Sequence, residues 1–115
     1  MSDDCIFCRI IKGEIPSTKV YEDEYVYAFK DIHPAAPVHV LVVPKKHIDS
    51  LETLNDDNME EVVHAHRAIR KVAAIAGIQD KGYRVIVNCG AEAGQTVMHL
   101  HYHVLGGMKM GEKII

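Results

Sequence analysis

One segment of this 115-residue chain keeps a helical period for several turns, and runs that read as strands flank it on both sides. In LNDDNMEEVVHAHRAIRKVAAIAG, residues Met59, Val62, Val63, His66, Ile69, Val72, Ala73 and Ala76 follow the i, i+3, i+4, i+7 spacing of one packed helix face. Asn55 or Asp56 is placed to cap it, acidic residues fill the first turn, and Gly77 stands beyond the last. KVYEDEYVYAFKDI reads as strands at 19–21 and 25–30 about an acidic turn. VHVLVVP (38–44), the most β-branched run, reads as a central strand. YRVIVNC (83–89) is a fourth, and TVMHLHYHVL (96–105) is the last, stopped by Gly106 and Gly107. A short N-terminal helix capped by Asp3 or Asp4 is expected to run to about Lys12, where Gly13 ends it and Pro16 prevents continuation. The pattern predicts an α+β fold: a mainly antiparallel sheet of about five strands, one long helix and a short N-terminal helix.

Length and charge narrow what such a fold can do. The chain is long enough for one core, so residues 1–115 are expected to form a single domain. A net charge of −3 with no basic stripe argues against a nucleic-acid partner. No apolar run approaches the ~18 residues of a membrane span, and the acidic N-terminus lacks an apolar signal core, so a cytoplasmic protein is expected. Three cysteines, two of them in a C-x-x-C, argue against a disulfide framework.

The last strand carries the chemistry. His99, His101 and His103 alternate, so a strand would turn all three to one face with ~6.6 Å between successive members. A solvated polar face would be served as well by Lys, Glu or Thr, and core histidines satisfied by carbonyls fit one residue better than three in register. Two chemical readings remain: a metal site, or nucleophilic catalysis by one imidazole assisted by its neighbours. Just upstream, Gly94, Gln95 and Thr96 offer a backbone N–H, a side-chain amide and a hydroxyl, the donors that an anionic phosphate needs. His39, on the β-branched strand, could bring a fourth imidazole to the same face.

His99-Leu-His101-Tyr-His103-Val-Leu resembles the signature of the histidine triad (HIT) superfamily. The blocks CIFCRIIKGEIPSTKVYEDE, FKDIHPAAPVHVLVVPKKH and NCGAEAGQTVMHLHYHVLGG are similar to its Hint-like branch, and with the helix they cover nearly the whole chain. The resemblance implies an enzyme acting at the α-phosphorus of purine nucleoside phosphoramidates, through a nucleotidyl-histidine intermediate that water resolves. It makes His101 the nucleophile, its tautomer fixed by a hydrogen bond to the His99 carbonyl, with His103 and His39 on the phosphate oxygens. Gln95, Thr96 and Gly94 would add donors, Asn88 would lie beside phosphate and ribose, and Asp31 would receive the ribose hydroxyls. Ile6, Phe7, Ile10 and Ile32 match the slot for the base; taken alone they would read as core packing.

Cys5 and Cys8 stand three apart on the first helix, so their sulfurs share a face, and no strand precedes them as a redox motif would want. They are half of a zinc site or two buried structural cysteines. In relatives that keep both cysteines, the resemblance supplies His47 of PKKH and His99 as the other two ligands. That is a closed Cys₂His₂ set, hence a structural zinc and no catalytic metal. Cys89 reads as a small core residue, His66 as a core histidine, His64 as exposed, and His33 carries no assigned role. The resemblance further implies a homodimer with sheets joined edge to edge, and an AMP- or GMP-type ligand. Other readings are a dinucleoside polyphosphate hydrolase, a nucleotide-binding regulatory or scaffold protein, and a triad that ligates a catalytic metal. Thr96 stands where serine is common, Val38 where glycine or threonine is usual, and the tail MKMGEKII lacks the Trp-Pro ending of some relatives.

Overall fold

The computed structural model describes residues 4–115. The elements are α1 (Ile6–Ile11), β1 (Lys19–Glu22), β2 (Val26–Lys30), β3 (Val38–Pro44), α2 (Glu60–Ile75), β4 (Arg84–Ile86) and β5 (Tyr102–Gly106), with 3₁₀ turns at Leu51–Thr53 and Ala91–Ala93. The five strands form one sheet in the order β1-β2-β3-β5-β4, and every neighbouring pair is antiparallel. No helix is long and apolar enough to cross a membrane among the described residues.

Alternation along the strands divides the interior in two. Val26 and Ala28 of β2, Val40 and Val42 of β3, and Tyr102 and Val104 of β5 point to one face, where α2 covers them. Tyr27, Phe29, Leu41 and Val43 point to the other, where Cys5, Phe7, Cys8 and Ile10 of the N-terminal segment lie on them. The pairing of Leu41 with His103 and of His39 with Leu105 puts both imidazoles on that second, smaller-core face. The site is therefore built on the α1 side of the sheet.

Several boundaries differ from the sequence expectation, each for a local reason. The last strand begins at Tyr102 and not at Thr96. Continuing the β3–β5 register would set Pro44 opposite Leu100, and proline has no N–H to donate to a ladder. The Leu100 N–H goes instead to the Ile48 carbonyl at 2.6 Å, so His99 and His101 occupy an extended approach to the strand. β4 stops at Ile86 because its partner strand stops opposite it: Ile86 pairs with His103, one residue from the end of β5. Tyr25 belongs to the acidic turn, where the Asp23 carboxylate accepts the N–H groups of Tyr25 and Val26 at 2.8 and 2.9 Å.

The helices also shift. The expected cap at Asp3 lies outside the described residues, and the residue that caps α1 is Cys5, whose sulfur accepts the Cys8 N–H at 3.3 Å. α2 starts later than its acidic lead-in suggests, at Glu60 after Met59. Asn55 caps the preceding turn, accepting the Asp57 N–H at 2.8 Å. Its buried stripe is Ala65, Ala68, Ile69, Val72 and Ala73. Small alanines let the helix approach the sheet closely and turn Met59, Val63 and His66 outward. His66 is thus exposed, not a core histidine, although its ring edge meets Tyr102 at 5.5 Å. His64, expected in solvent, is half-buried and stacks on Tyr25 with 3.7 Å between ring centroids.

Candidate active site and metal cluster

The four histidines expected at the site fall into two groups that meet at His99. In the first group, His101 Nδ1 lies 2.7 Å from the His99 carbonyl oxygen. A carbonyl can only accept, so His101 carries its proton on Nδ1 and Nε2 is left with a free lone pair. Phe7 supports the ring edge-on at 5.1 Å, and His103 lies at 5.1 Å on another side. His103 is joined to His39 by an Nδ1 to Nε2 contact of 2.9 Å. Burial, reinforced by His101 and His39 nearby, holds His103 below the usual histidine range, with Asp31 opposing.

Asp31 sits at the exit of β2. One carboxylate oxygen accepts the His33 N–H at 2.8 Å, and the other is 3.4 Å from His39 Nε2. A cleft of about 520 Å³ beside Asp31 and His39 is walled by Val20, Val40, Ile75 and Ala76, so it opens toward α2 and is not lined by His101 or His103.

In the second group, Cys5 Sγ and Cys8 Sγ are 3.3 and 3.6 Å from His99 Nδ1, and Cys8 Sγ is 3.3 Å from His47 Nδ1. All four donor atoms lie within 4.8 Å of one another, a set that could hold a metal ion. The far side of each imidazole is tied down: His99 Nε2 donates to the Pro44 carbonyl at 2.8 Å and His47 Nε2 to the Asp49 carboxylate at 2.8 Å. Both rings therefore aim a bare Nδ1 at the sulfurs, the orientation that ligand histidines receive from outer partners. Burial, followed by the Cys5 neighbour, pushes the Cys8 thiol up to about 11, and burial pushes His99 down to about 4. Both shifts favour the neutral Cys8 thiol and the neutral His99 imidazole.

The remaining expected residues separate. Gln95 is buried and its amide is fully committed: Oε1 accepts the Gly90 N–H at 2.9 Å, and Nε2 donates to the carbonyls of Asp49 and Val97 at 2.8 and 3.1 Å. It clamps the loop and leaves no free amide hydrogen for a phosphate. Gly94 takes a left-handed φ of 87° that only glycine adopts cheaply, and its N–H is spent on the Ala91 carbonyl. Thr96 is exposed, beside Ile6 and Met98 in a cavity of about 400 Å³. Asn88 is half-buried, two residues past the end of β4. Of the four apolar residues, Phe7 and Ile10 belong to the smaller core, whereas Ile6 and Ile32 are 45% and 85% exposed. An isoleucine left so bare is an unused apolar surface. Cys89 is half-buried.

What sequence reasoning missed is mostly backbone. The Ala35 N–H, which donates to His39 Nδ1 at 3.0 Å, and the Pro44 carbonyl have no signature in residue type. Asp49 did have one: it stands two residues after His47, where a short chain can bring a carboxylate to the ring.

Comparison with known proteins fits this arrangement. The HIT domain model matches residues 12–110. An uncharacterized HIT-like protein of Synechocystis is 48% identical over 107 residues, covering 93% of each chain, and one of Chlamydia trachomatis is 47% identical, covering 92% of this chain and 95% of its own. Among solved structures, a HIT family hydrolase from Clostridium thermocellum superposes with a TM-score of 0.98 at 56% identity over the whole of both chains. A histidine triad protein from Clostridium difficile gives 0.94 at 55% identity over 98% of each. The chain belongs to the HIT family.

Proposed function

We propose that the protein is a hydrolase of the Hint-like branch, cleaving purine nucleoside phosphoramidates through a nucleotide covalently held on His101. The observation that carries this reading is the 2.7 Å bond from His101 Nδ1 to the His99 carbonyl, which leaves Nε2 bare on the face that also bears His103 and His39. The Nε2 lone pair forms a bond to the α-phosphorus while the phosphorus–nitrogen bond breaks. The leaving amine keeps that electron pair and takes a proton from solvent. Water then adds to phosphorus and gives up a proton, and the phosphorus–His101 bond breaks to restore the ring. His103, held by His39 behind it, would stabilise the phosphate oxygens, Thr96 would add its hydroxyl, and Asp31 with the exposed Ile32 and Ile6 would receive ribose and an AMP- or GMP-type base.

Cys5, Cys8, His47 and His99 fit a structural zinc. Tetrahedral bonds of ~2.3 Å to sulfur and ~2.05 Å to nitrogen give sulfur–nitrogen edges of ~3.6 Å, and three of the four such edges are 3.3–3.6 Å. All four positions being protein ligands, the ion would hold α1 to the histidine segment and not act on substrate. A homodimer through the sheet edge is part of the same reading, supported by β4 at the end of the sheet with Val85 and Ile86 exposed. The protein would work as a cytoplasmic enzyme.

The test is a single turnover of adenosine 5′-phosphoramidate by the wild type and by His101→Ala, with acid quench and intact-protein mass. AMP release and a nucleotidyl adduct in the wild type, both absent from the variant, are expected. Equal cleavage by both proteins would remove His101 from the mechanism.

A further inference from the structure

The bond between Ala35 and His39 fixes more than a loop. A backbone N–H has one proton and cannot accept, so at 3.0 Å it requires a lone pair on His39 Nδ1. Neutral His39 must then carry its proton on Nε2. That atom is 2.9 Å from His103 Nδ1 and 3.4 Å from an Asp31 oxygen, so the shorter and better contact is donation to His103. His103 Nδ1 is thereby the bare nitrogen, and neutral His103 has only Nε2 left for its proton. Two residues earlier the order is reversed: the His99 carbonyl puts the proton of His101 on Nδ1 and bares Nε2.

We propose that the Ala35 N–H, acting through His39, imposes on His103 the tautomer opposite to the one that the His99 carbonyl holds on His101. His39 is the positioning residue that carries that instruction across from β3 to β5. Two identical side chains on adjacent same-face positions thus take opposite parts: His101 presents a lone pair to phosphorus, and His103 presents an N–H to the phosphoryl oxygens. The assignment of these parts rests on the activity proposed above; the tautomers themselves do not. The same logic distinguishes the two His-containing clusters of the molecule. Asp31, His39 and His103 are spaced as a metal-binding set, but a ligating nitrogen must aim its lone pair at the ion. The lone pair of His39 is aimed at Ala35. This cluster handles a proton, and the cysteine cluster is the one with the donors turned inward.

Long-range proton–nitrogen spectra of the folded, ¹⁵N-histidine-labelled protein at pH 7.5, without substrate, read each tautomer directly. His39 and His103 protonated at Nε2, with His101 protonated at Nδ1, is the expected result. A proton on Nδ1 of His39 or His103 overturns the proposal. Ala35→Pro deletes the N–H and should release His39 and His103 into mixed tautomers while His101 keeps Nδ1–H. His39→Leu should do the same to His103, whether or not the proline variant folds, and should lower turnover roughly 10- to 100-fold with little change in KM. An unchanged His103 tautomer in a folded variant would show that the backbone does not set it. The expected tautomers in a protein that fails to cleave phosphoramidate would uphold the assignment and sink only the activity.

Discussion

At the scale of single residues, the environment of each histidine separates side chains that the sequence presents as alike. His99 is wholly buried with both ring nitrogens engaged, His101 is held by a carbonyl, and His103 by another imidazole. Burial lowers the pKa of His103 below its usual value, so the folded state prefers the neutral ring. Its contribution to stability is therefore complete above the unfolded value of ~6.5 and is lost as pH falls toward the lower folded value. Urea melts at pH 7.5, 6 and 5 should show stability falling with pH, and falling less in His103→Gln; identical slopes would contradict the shift. The triad and the C-x-x-C were legible because they are patterns of residue type. The commitments of Gln95 were not. A glutamine between glycine and threonine reads as a free donor, and only the fold reveals carbonyls on two sides of it.

At the scale of elements, β3 is found where the sequence puts it, at Val38–Pro44, because an unbroken β-branched run with a terminal proline has few alternatives. The ends of β4 and β5 were not legible, since each is set by where a partner runs out of hydrogen-bonding groups. The face of α2 was legible in its second half, where Ile69, Val72 and Ala73 are buried as the period predicts, but not in its first, where Ala65 and Ala68 take the buried stripe and leave Val63 and His66 outside it. One such hidden constraint lies at the end of β5. A methyl group on buried Gly106 would come within 2.9 Å of the Ile78 side chain. Gly106→Ala is expected to cost about 1–3 kcal/mol in urea unfolding, with Ile78→Val recovering part of it. An additive double variant would mean that the two residues do not collide.

At the scale of the whole molecule, the sheet has a thick side under α2 and a thin one under a six-residue helix. So short a helix is marginal by itself, and the cysteine cluster ties it to the rest beside the packing of Phe7 and Ile10. Purified protein should contain about one zinc per chain, and stripping it should lower Tm by more than ~5 °C. Amide exchange should accelerate across Ile6–Ile11 before it does in α2. A metal-free preparation with unchanged melting would assign the cluster a purely thiol–imidazole role. His99 stands where this tie meets the proposed nucleophile, its ring facing the sulfurs and its carbonyl facing His101. Every amino acid has a carbonyl, so no substitution at position 99 can delete the group that orients His101. A mutational scan of the triad would thus compare unlike things: variants at 101 and 103 remove the imidazoles proposed to react, whereas variants at 99 cut an anchor and report on the cysteine cluster through activity.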